Sequence, residues 1–86
     1  MSEVLIYTKS WCGFCLRAKS LLAIHDVAYD EIDVETDPRL EREMIEKAGG
    51  RRTVPQVFIR GEHIGGSEEL AQFASAGGLD KLATAG

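Results

Sequence analysis

The sequence predicts an α/β domain with the element order β-α-β-α-β-β-α, built on one mixed four-stranded sheet with helices on both faces. Near the N-terminus a strand, a helix and a second strand follow one another closely, which is the spacing of a parallel βαβ unit. Further along, two short strands flank a glycine-containing turn, which indicates an antiparallel hairpin. With 86 residues, of which 44% are hydrophobic and 28% charged, the chain is expected to form a single domain over residues 1–86.

The first half of the chain supplies the βαβ unit. Val4-Leu5-Ile6-Tyr7 is a continuous apolar run, as expected of a central strand covered on both faces. A helix is predicted over residues 13–24, where apolar residues recur at helical spacing. Its buried side is expected to carry Phe14, Ala18, Leu21 and Leu22. A strand over residues 28–34 follows, with Ile32 and Val34 on one face and Glu31 and Asp33 on the other.

The second half supplies a helix, the hairpin and a last helix. Asp37 is expected to cap a helix that begins with Pro38 and runs to about Ala48, because aspartate suits the cap and proline the first helical position. The remaining predicted elements are a strand at 57–59, a strand around Ile64, a helix capped by Ser67, a partial turn at 79–82 and a frayed tail at 83–86.

Composition excludes several classes of function. The net charge is −4 and the basic residues form no long block, so nucleic acid is not an expected partner. No apolar run approaches the ~20 residues of a membrane span, so no membrane association is expected. The N-terminus shows neither the basic region nor the cleavage site of a secretory signal. Two close cysteines in such a chain indicate a reducing compartment, and we expect a cytoplasmic location.

The chemistry of the chain is concentrated in Cys12-Gly13-Phe14-Cys15, which holds both cysteines. The reactive form of cysteine is the thiolate, and a free thiol with a pKa of about 8.5 is ionised only to a few per cent at neutral pH. A position at the N-terminus of a helix favours the thiolate of Cys12, and Lys9 adds a nearby cation. Cys15, one helical turn further in, is expected to be the buried, resolving thiol. We therefore interpret the pair as a redox site.

The alternative interpretation of a Cys-x-x-Cys pair is half of a zinc site. Structural zinc requires four protein ligands. The other candidate ligands are His25 and His63, whose spacing is not that of a zinc finger. The position of the pair between a strand and a helix favours redox chemistry instead.

Four landmarks in order show that the chain resembles the glutaredoxin family of the thioredoxin fold, over nearly every residue from Val4 to Leu82. The landmarks are Tyr7-Thr8-Lys9 before Cys12-Gly13-Phe14-Cys15, then Thr53-Val54-Pro55, then Gly65-Gly66, then Ser67-Glu68. The resemblance implies a cis peptide bond before Pro55 and a Val54 backbone that pairs with an extended peptide. Where the family commonly has Cys or Ser and then Asp, this chain has Ser67 and the longer Glu68.

The resemblance also implies a binding site for glutathione around Cys12. Its γ-glutamyl end is expected at Ser67 and Glu68, at the start of the last helix. Lys9 and Arg52 resemble the family's cations for the glycyl carboxylate, and Arg51 or Arg42 are further candidates. The full set of expected glutathione-binding residues is Lys9, Phe14, Arg52, Thr53, Val54, Pro55, Gly66, Ser67 and Glu68.

Three functions follow from the resemblance. The first is a glutathione-dependent thiol–disulfide oxidoreductase that acts on protein disulfides and glutathionylated proteins, with Cys12 as nucleophile and Cys15 as resolving thiol. The second is a carrier of a [2Fe-2S] cluster, in which Cys12 of two chains and two glutathiones hold the cluster between the chains. Gly13 favours it, because the common family form has proline at this position whereas cluster-carrying relatives often have glycine or serine. Cys15 argues against it, because dedicated carriers often have serine there. The third is a dithiol donor reduced by a flavoprotein reductase, which the set Lys9, Arg52, Ser67 and Glu68 disfavours. A monomer is expected, or a dimer where a cluster is bound.

Overall fold

The computed structural model describes residues 2–82 and has the predicted order of elements. The strands are β1 (Val4–Thr8), β2 (Asp30–Asp33), β3 (Gln56–Ile59) and β4 (Glu62–Gly65). The helices are α1 (Gly13–Ile24), α2 (Pro38–Lys47) and α3 (Ser67–Ser75), followed by a 3₁₀ turn at Asp80–Leu82. The predicted frayed tail at 83–86 lies outside the described residues.

The four strands form one mixed sheet in the order β2-β1-β3-β4. Strand β1 is central: it pairs in parallel with β2 and antiparallel with β3. Strand β4 pairs antiparallel with β3 through a turn at Arg60 and Gly61, both with positive φ (52° and 82°), as in the two-residue turns that suit hairpins. The prediction of a mixed sheet is therefore confirmed.

Helices cover both faces of this sheet, as predicted. On one face, α1 and α3 pack side by side on β1 and β3, and the buried residues include Ile6, Leu22, Val57 and Leu70. On the other face, α2 covers Tyr7 and Phe58 with Met44 and Ala48. Strand β3 is buried along its whole length because it has a helix layer on each side.

Strand β2 is shorter than the predicted range of 28–34. The register pairs Leu5 with Asp30 and Thr8 with Asp33, so residues 28 and 34 fall opposite positions 3 and 9, outside β1. The predicted alternation is correct, since Ile32 and Val34 pack in the α2 core while Glu31 is exposed.

The N-terminal ends of two helices differ from the prediction. Phe14 is expected on the buried side of α1, but its side chain is 60% exposed. The buried stripe of α1 is Cys15, Ala18 and Leu22, and Phe14 lies about 100° around the helix from Cys15. Ser67 is expected to cap α3, but Gly66 is the cap and Ser67 is the first helical residue. The Gly66 backbone N–H donates to Glu69 Oε1 at 2.6 Å, so the cap is satisfied from within the helix.

No helix within residues 2–82 is both long enough and apolar enough to span a membrane.

Substitution of Gly65, at the junction between β4 and α3, is expected to lower the stability of the protein, in contrast to substitution of Gly13. Gly65 has φ +126°, and a Cβ there would lie 2.6 Å from Glu69 Oε1 and 2.9 Å from Glu69 Cβ. Gly65→Ala is therefore expected to destabilise the protein by about 3 kcal/mol, from steric overlap and an unfavourable backbone conformation. Urea unfolding followed by circular dichroism measures this.

Gly13→Ala is the matched control, because a Cβ at Gly13 would meet nothing within 4 Å. Alanine in the first turn of α1 should stabilise the protein by about 0.5–1 kcal/mol. Equal unfolding midpoints for the two variants would contradict the tight packing of Gly65 against Glu69.

Candidate active site

Cys12 is the N-cap of α1, at the point where the chain leaves β1 and enters the helix. Its sulfur accepts a hydrogen bond from the Cys15 backbone N–H at 3.2 Å. The Cys12 carbonyl accepts from the Leu16 N–H at 3.1 Å, which begins the helical ladder. The side chain remains partly exposed. A sulfur in this position faces the unpaired amides and the positive end of the helix, which together favour negative charge.

Cys15 lies one turn further along α1 and is only 1% exposed. Burial, followed by the hydrogen bond to Cys12, raises the pKa of Cys15 to about 12. A hydrogen bond from the Lys9 backbone N–H and the charge of Lys19 act in the opposite direction without reversing the shift. The two thiols of the pair therefore occupy different environments, one accessible and one enclosed.

The loop that precedes β3 lies opposite Cys12. The Val54–Pro55 peptide bond is cis, and the Cys12 thiol donates to the Val54 carbonyl at 3.8 Å. Gln56, fully buried at the start of β3, holds this loop: its Nε2 donates to the Thr53 carbonyl at 3.0 Å. Gln56 Oε1 in turn lies 2.6 Å from His63 Nε2 on β4, so a buried amide ties the loop to the sheet.

A groove of about 270 Å³ runs between this loop and the N-terminus of α3. It brings together seven of the predicted glutathione-binding residues: Phe14, Thr53, Val54, Pro55, Gly66, Ser67 and Glu68. Arg51 and Glu69 complete its lining. Pro55 and Gly66 are buried, whereas Phe14 and Glu68 are exposed at its edges.

Lys9 and Arg52 do not line that groove. Lys9 Nζ forms an ion pair with Glu41 Oε2 at 2.8 Å, which is the main reason why the pKa of Lys9 is raised; the charges of Glu35 and Cys12 add smaller effects in the same direction. Arg52 is exposed, and its charge lowers the pKa of Glu41 in addition to the larger effect of Lys9. Arg42 is also exposed, and its charge acts on Asp37.

Three charged residues at the site were not clearly predicted from the sequence: Glu41 and Glu69 were not predicted at all, and Arg51 was only one of several candidate cations. Arg51 Nη1 pairs with Glu69 Oε1 at 3.1 Å inside the groove, which distinguishes it from Arg52. The signal for Glu69 was present, because a cap followed three residues later by glutamate is a capping-box pattern with Gly66 as the cap. Glu41 gave no local signal, since its partner Lys9 lies far away in sequence.

A second depression, of about 500 Å³, lies on the other side of Cys12. It is lined by the loop from Thr8 to Gly13 and by Cys15, Leu16, Lys19, Glu31 and Asp33. Trp11, at its rim, is fully exposed with φ 57°, so its indole does not pack over the active-site loop.

Several known proteins are similar to this chain in sequence and in fold. Residues 4–64 match the family model described as glutaredoxin. Glutaredoxin 3 of Escherichia coli is 45% identical over 82 residues, covering 95% of this chain and 98% of its own length. The glutaredoxin of Brucella melitensis, solved in solution, is 44% identical with a TM-score of 0.80, covering 95% of this chain and 88% of its own.

A third similar protein is more distant in sequence. Buckwheat glutaredoxin, solved as a complex with glutathione, is 28% identical with a TM-score of 0.83, covering 94% of this chain and 76% of its own. These matches confirm the expected thioredoxin-like fold. The chain belongs to the glutaredoxin family, and with it to the thiol–disulfide oxidoreductases.

Proposed function

We propose that this protein is a glutathione-dependent oxidoreductase that reduces glutathionylated proteins and protein disulfides through Cys12, with Cys15 as the resolving thiol. The observation that carries the proposal is the position of the Cys12 sulfur. It lies at the N-terminus of α1 and beside the Val54 carbonyl of a cis-proline loop that forms one wall of a groove. The buckwheat protein, a glutaredoxin solved with glutathione, supports the same ligand here.

Glutathione is proposed to lie across the site with its sulfur at Cys12 and its backbone along Val54. The γ-glutamyl carboxylate would then reach the amides at the start of α3, near Ser67, where a helix N-terminus favours an anion. Glu68 is the nearby carboxylate for the γ-glutamyl amine. The glycyl carboxylate would reach Lys9 and Arg52, the cations on the Glu41 side of Cys12.

The reaction with a glutathionylated protein uses Cys12 alone. The Cys12 thiolate attacks the glutathione sulfur, forming the Cys12–glutathione disulfide and releasing the protein sulfur as a thiolate, which takes a proton from water. A second glutathione, as its thiolate, then attacks the glutathione sulfur bound to Cys12. Glutathione disulfide leaves, and the Cys12 thiolate is restored with the electron pair of the broken bond.

A protein disulfide requires both thiols. Cys12 attacks one substrate sulfur and the other leaves as a thiolate. Cys15 then gives its proton to the substrate thiolate already released and attacks the Cys12 sulfur. The second substrate sulfur leaves as a thiolate that takes a proton from water, and the Cys12–Cys15 disulfide forms. Two glutathiones reduce this disulfide in two successive exchanges and leave as glutathione disulfide. The burial of Cys15 keeps it protonated until this step, so it does not compete with Cys12 for substrate.

Serine variants of the two cysteines separate these reactions. Cys12→Ser is expected to abolish both activities, because it removes the nucleophile. Cys15→Ser should keep most of the activity on a glutathionylated peptide and lose the reduction of a protein disulfide. Both are measured by coupling glutathione disulfide formation to NADPH oxidation by glutathione reductase. Activity in Cys12→Ser at the wild-type level would refute the assignment.

The two thiols should also differ in reactivity. In Cys12→Ser, the remaining Cys15 is expected to resist iodoacetamide at pH 7, because burial, the largest cause of its raised pKa, does not depend on Cys12 and also shields the sulfur from the reagent. In Cys15→Ser, Cys12 should be alkylated readily at pH 7. Mass spectrometry counts the added groups, and urea-unfolded samples of both variants should react alike. Rapid alkylation of folded Cys12→Ser at pH 7 would contradict the enclosed position of Cys15.

A second candidate function, transport of a [2Fe-2S] cluster between two chains, is favoured by one observation. Cys12 is partly exposed, and the space around Gly13 is open, since a Cβ at that position would meet nothing within 4 Å. Each chain would contribute the Cys12 thiolate, and two glutathiones would complete the four sulfur ligands. The residues present fit such an arrangement, since thiolates are the usual ligands of these clusters.

Anaerobic reconstitution with iron, sulfide and glutathione tests this alternative. Cluster binding should produce visible absorption and a dimer in size-exclusion chromatography. Gly13→Pro is the informative variant: Cys12, at φ −114° and ψ 109°, suits a residue before proline, and position 13 is the first of α1. The variant should fold and lose the colour, because proline fills the space at the cluster. A colourless wild-type monomer would exclude cluster transport.

A further inference from the structure

Lys9, which the proposed function assigns to the glycyl carboxylate of glutathione, is already paired with a carboxylate of its own chain. Its Nζ lies 2.8 Å from Glu41 Oε2, between the loop after β1 and the first half of α2. Arg52 also acts electrostatically on Glu41. Glu41 is therefore paired with one of the cations that the ligand carboxylate is expected to reach and lies within electrostatic reach of the other.

We propose that Glu41 is an internal competitor that occupies the glycyl-carboxylate position in the free protein and must leave Lys9 when glutathione binds. The inference rests on the proposed function, because it assigns Lys9 to that carboxylate. A glutamate side chain and a glycyl end present the same carboxylate group to an ammonium, so both satisfy the same partner.

The exposure of the pair makes this exchange feasible. The Lys9 and Glu41 side chains are 38% and 40% exposed, so water and salt weaken their attraction. Exposed pairs of this kind contribute little to stability. Glu41 can thus swing out to solvent, whereas a carboxylate in a buried pair would be retained.

The exchange sets the affinity for the ligand. In the wild-type protein, glutathione forms one ion pair with Lys9 at the expense of another, so the net gain is small. Without the Glu41 charge, Lys9 is free and the same ligand contact becomes a net gain. Removal of Glu41 also removes a negative charge beside an anionic ligand. Both effects are expected to raise the affinity for the ligand when the Glu41 charge is removed.

The experiment titrates S-methylglutathione, which keeps both carboxylates but forms no disulfide, into wild-type protein and Glu41→Gln by isothermal titration calorimetry. Glutamine keeps the size of the side chain and removes its charge. We expect Glu41→Gln to bind about two- to fivefold more tightly, the range that corresponds to one exposed ion pair. Its affinity should also fall more steeply with added salt than that of the wild type, because a net ion pair then forms on binding.

Three controls make the test specific. Glu46→Gln carries the same charge change on the exposed side of α2, with no ion pair among the residues the structure describes, and should bind like the wild type. In a Lys9→Gln background, Glu41→Gln should bring a clearly smaller gain, because the competition for Lys9 is gone and only the removal of a negative charge near the ligand remains. The glycinamide form of S-methylglutathione should bind wild type and Glu41→Gln equally.

The outcomes are distinguishable. Equal or weaker binding of S-methylglutathione by Glu41→Gln overturns the competition while the proposed function stands. The same gain in Glu46→Gln also overturns it, because the effect would then be one of net charge. If the wild-type protein binds no S-methylglutathione at millimolar concentration, the competition and the glutathione-dependent function both fail.

Discussion

The hydrogen bond from the Cys15 N–H to the Cys12 sulfur is the contact on which the site depends. It makes a thiol the N-cap of a helix, a position at which serine, threonine, aspartate and asparagine are preferred. The same turn separates the two cysteines by three positions, so that one remains at the helix end while the other joins the buried stripe with Ala18 and Leu22. One local geometry thus produces both an accessible thiol and an enclosed one.

The second half of the site depends on the register of the sheet. Tyr7 in β1 pairs with Gln56 in β3, so the loop that follows β1 and the loop that precedes β3 lie at the same end of these two strands. This register brings Cys12 next to Val54, 42 positions away in sequence. Gln56 then holds the loop through its amide, because a buried amide requires partners on both sides and finds them in Thr53 and His63. A change of register by one residue would turn the Gln56 side chain to the other face and release the loop.

The elements of the fold were predictable because their signals are local. Periodicity located α1 and α2, and the apolar run located β1. The ends were less predictable for a physical reason: the extent of β2 depends on where β1 begins and ends, and the exposure of Phe14 depends on which stripe of α1 faces the sheet. Seven of the predicted ligand-binding residues meet in one groove, but the sequence left the cations ambiguous. Their partners, Glu41 for Lys9 and Glu69 for Arg51, lie 32 and 18 positions away, where no spacing rule applies.

The ion pairs of the site also bear on how it selects a ligand. The protein carries a net charge of −4, and glutathione carries about −1 at neutral pH, so long-range attraction does not draw the two together. Lys9 and Arg51 are each neutralised by a carboxylate before any ligand arrives. An arbitrary anion gains little at such a site, because it only replaces an existing partner. A ligand that reaches the Cys12 sulfur, the Val54 backbone, the start of α3 and Lys9 at once gains several contacts for each one exchanged. Under the proposed function, selection at this site would therefore follow from the length and shape of the ligand, because its charge alone would be insufficient.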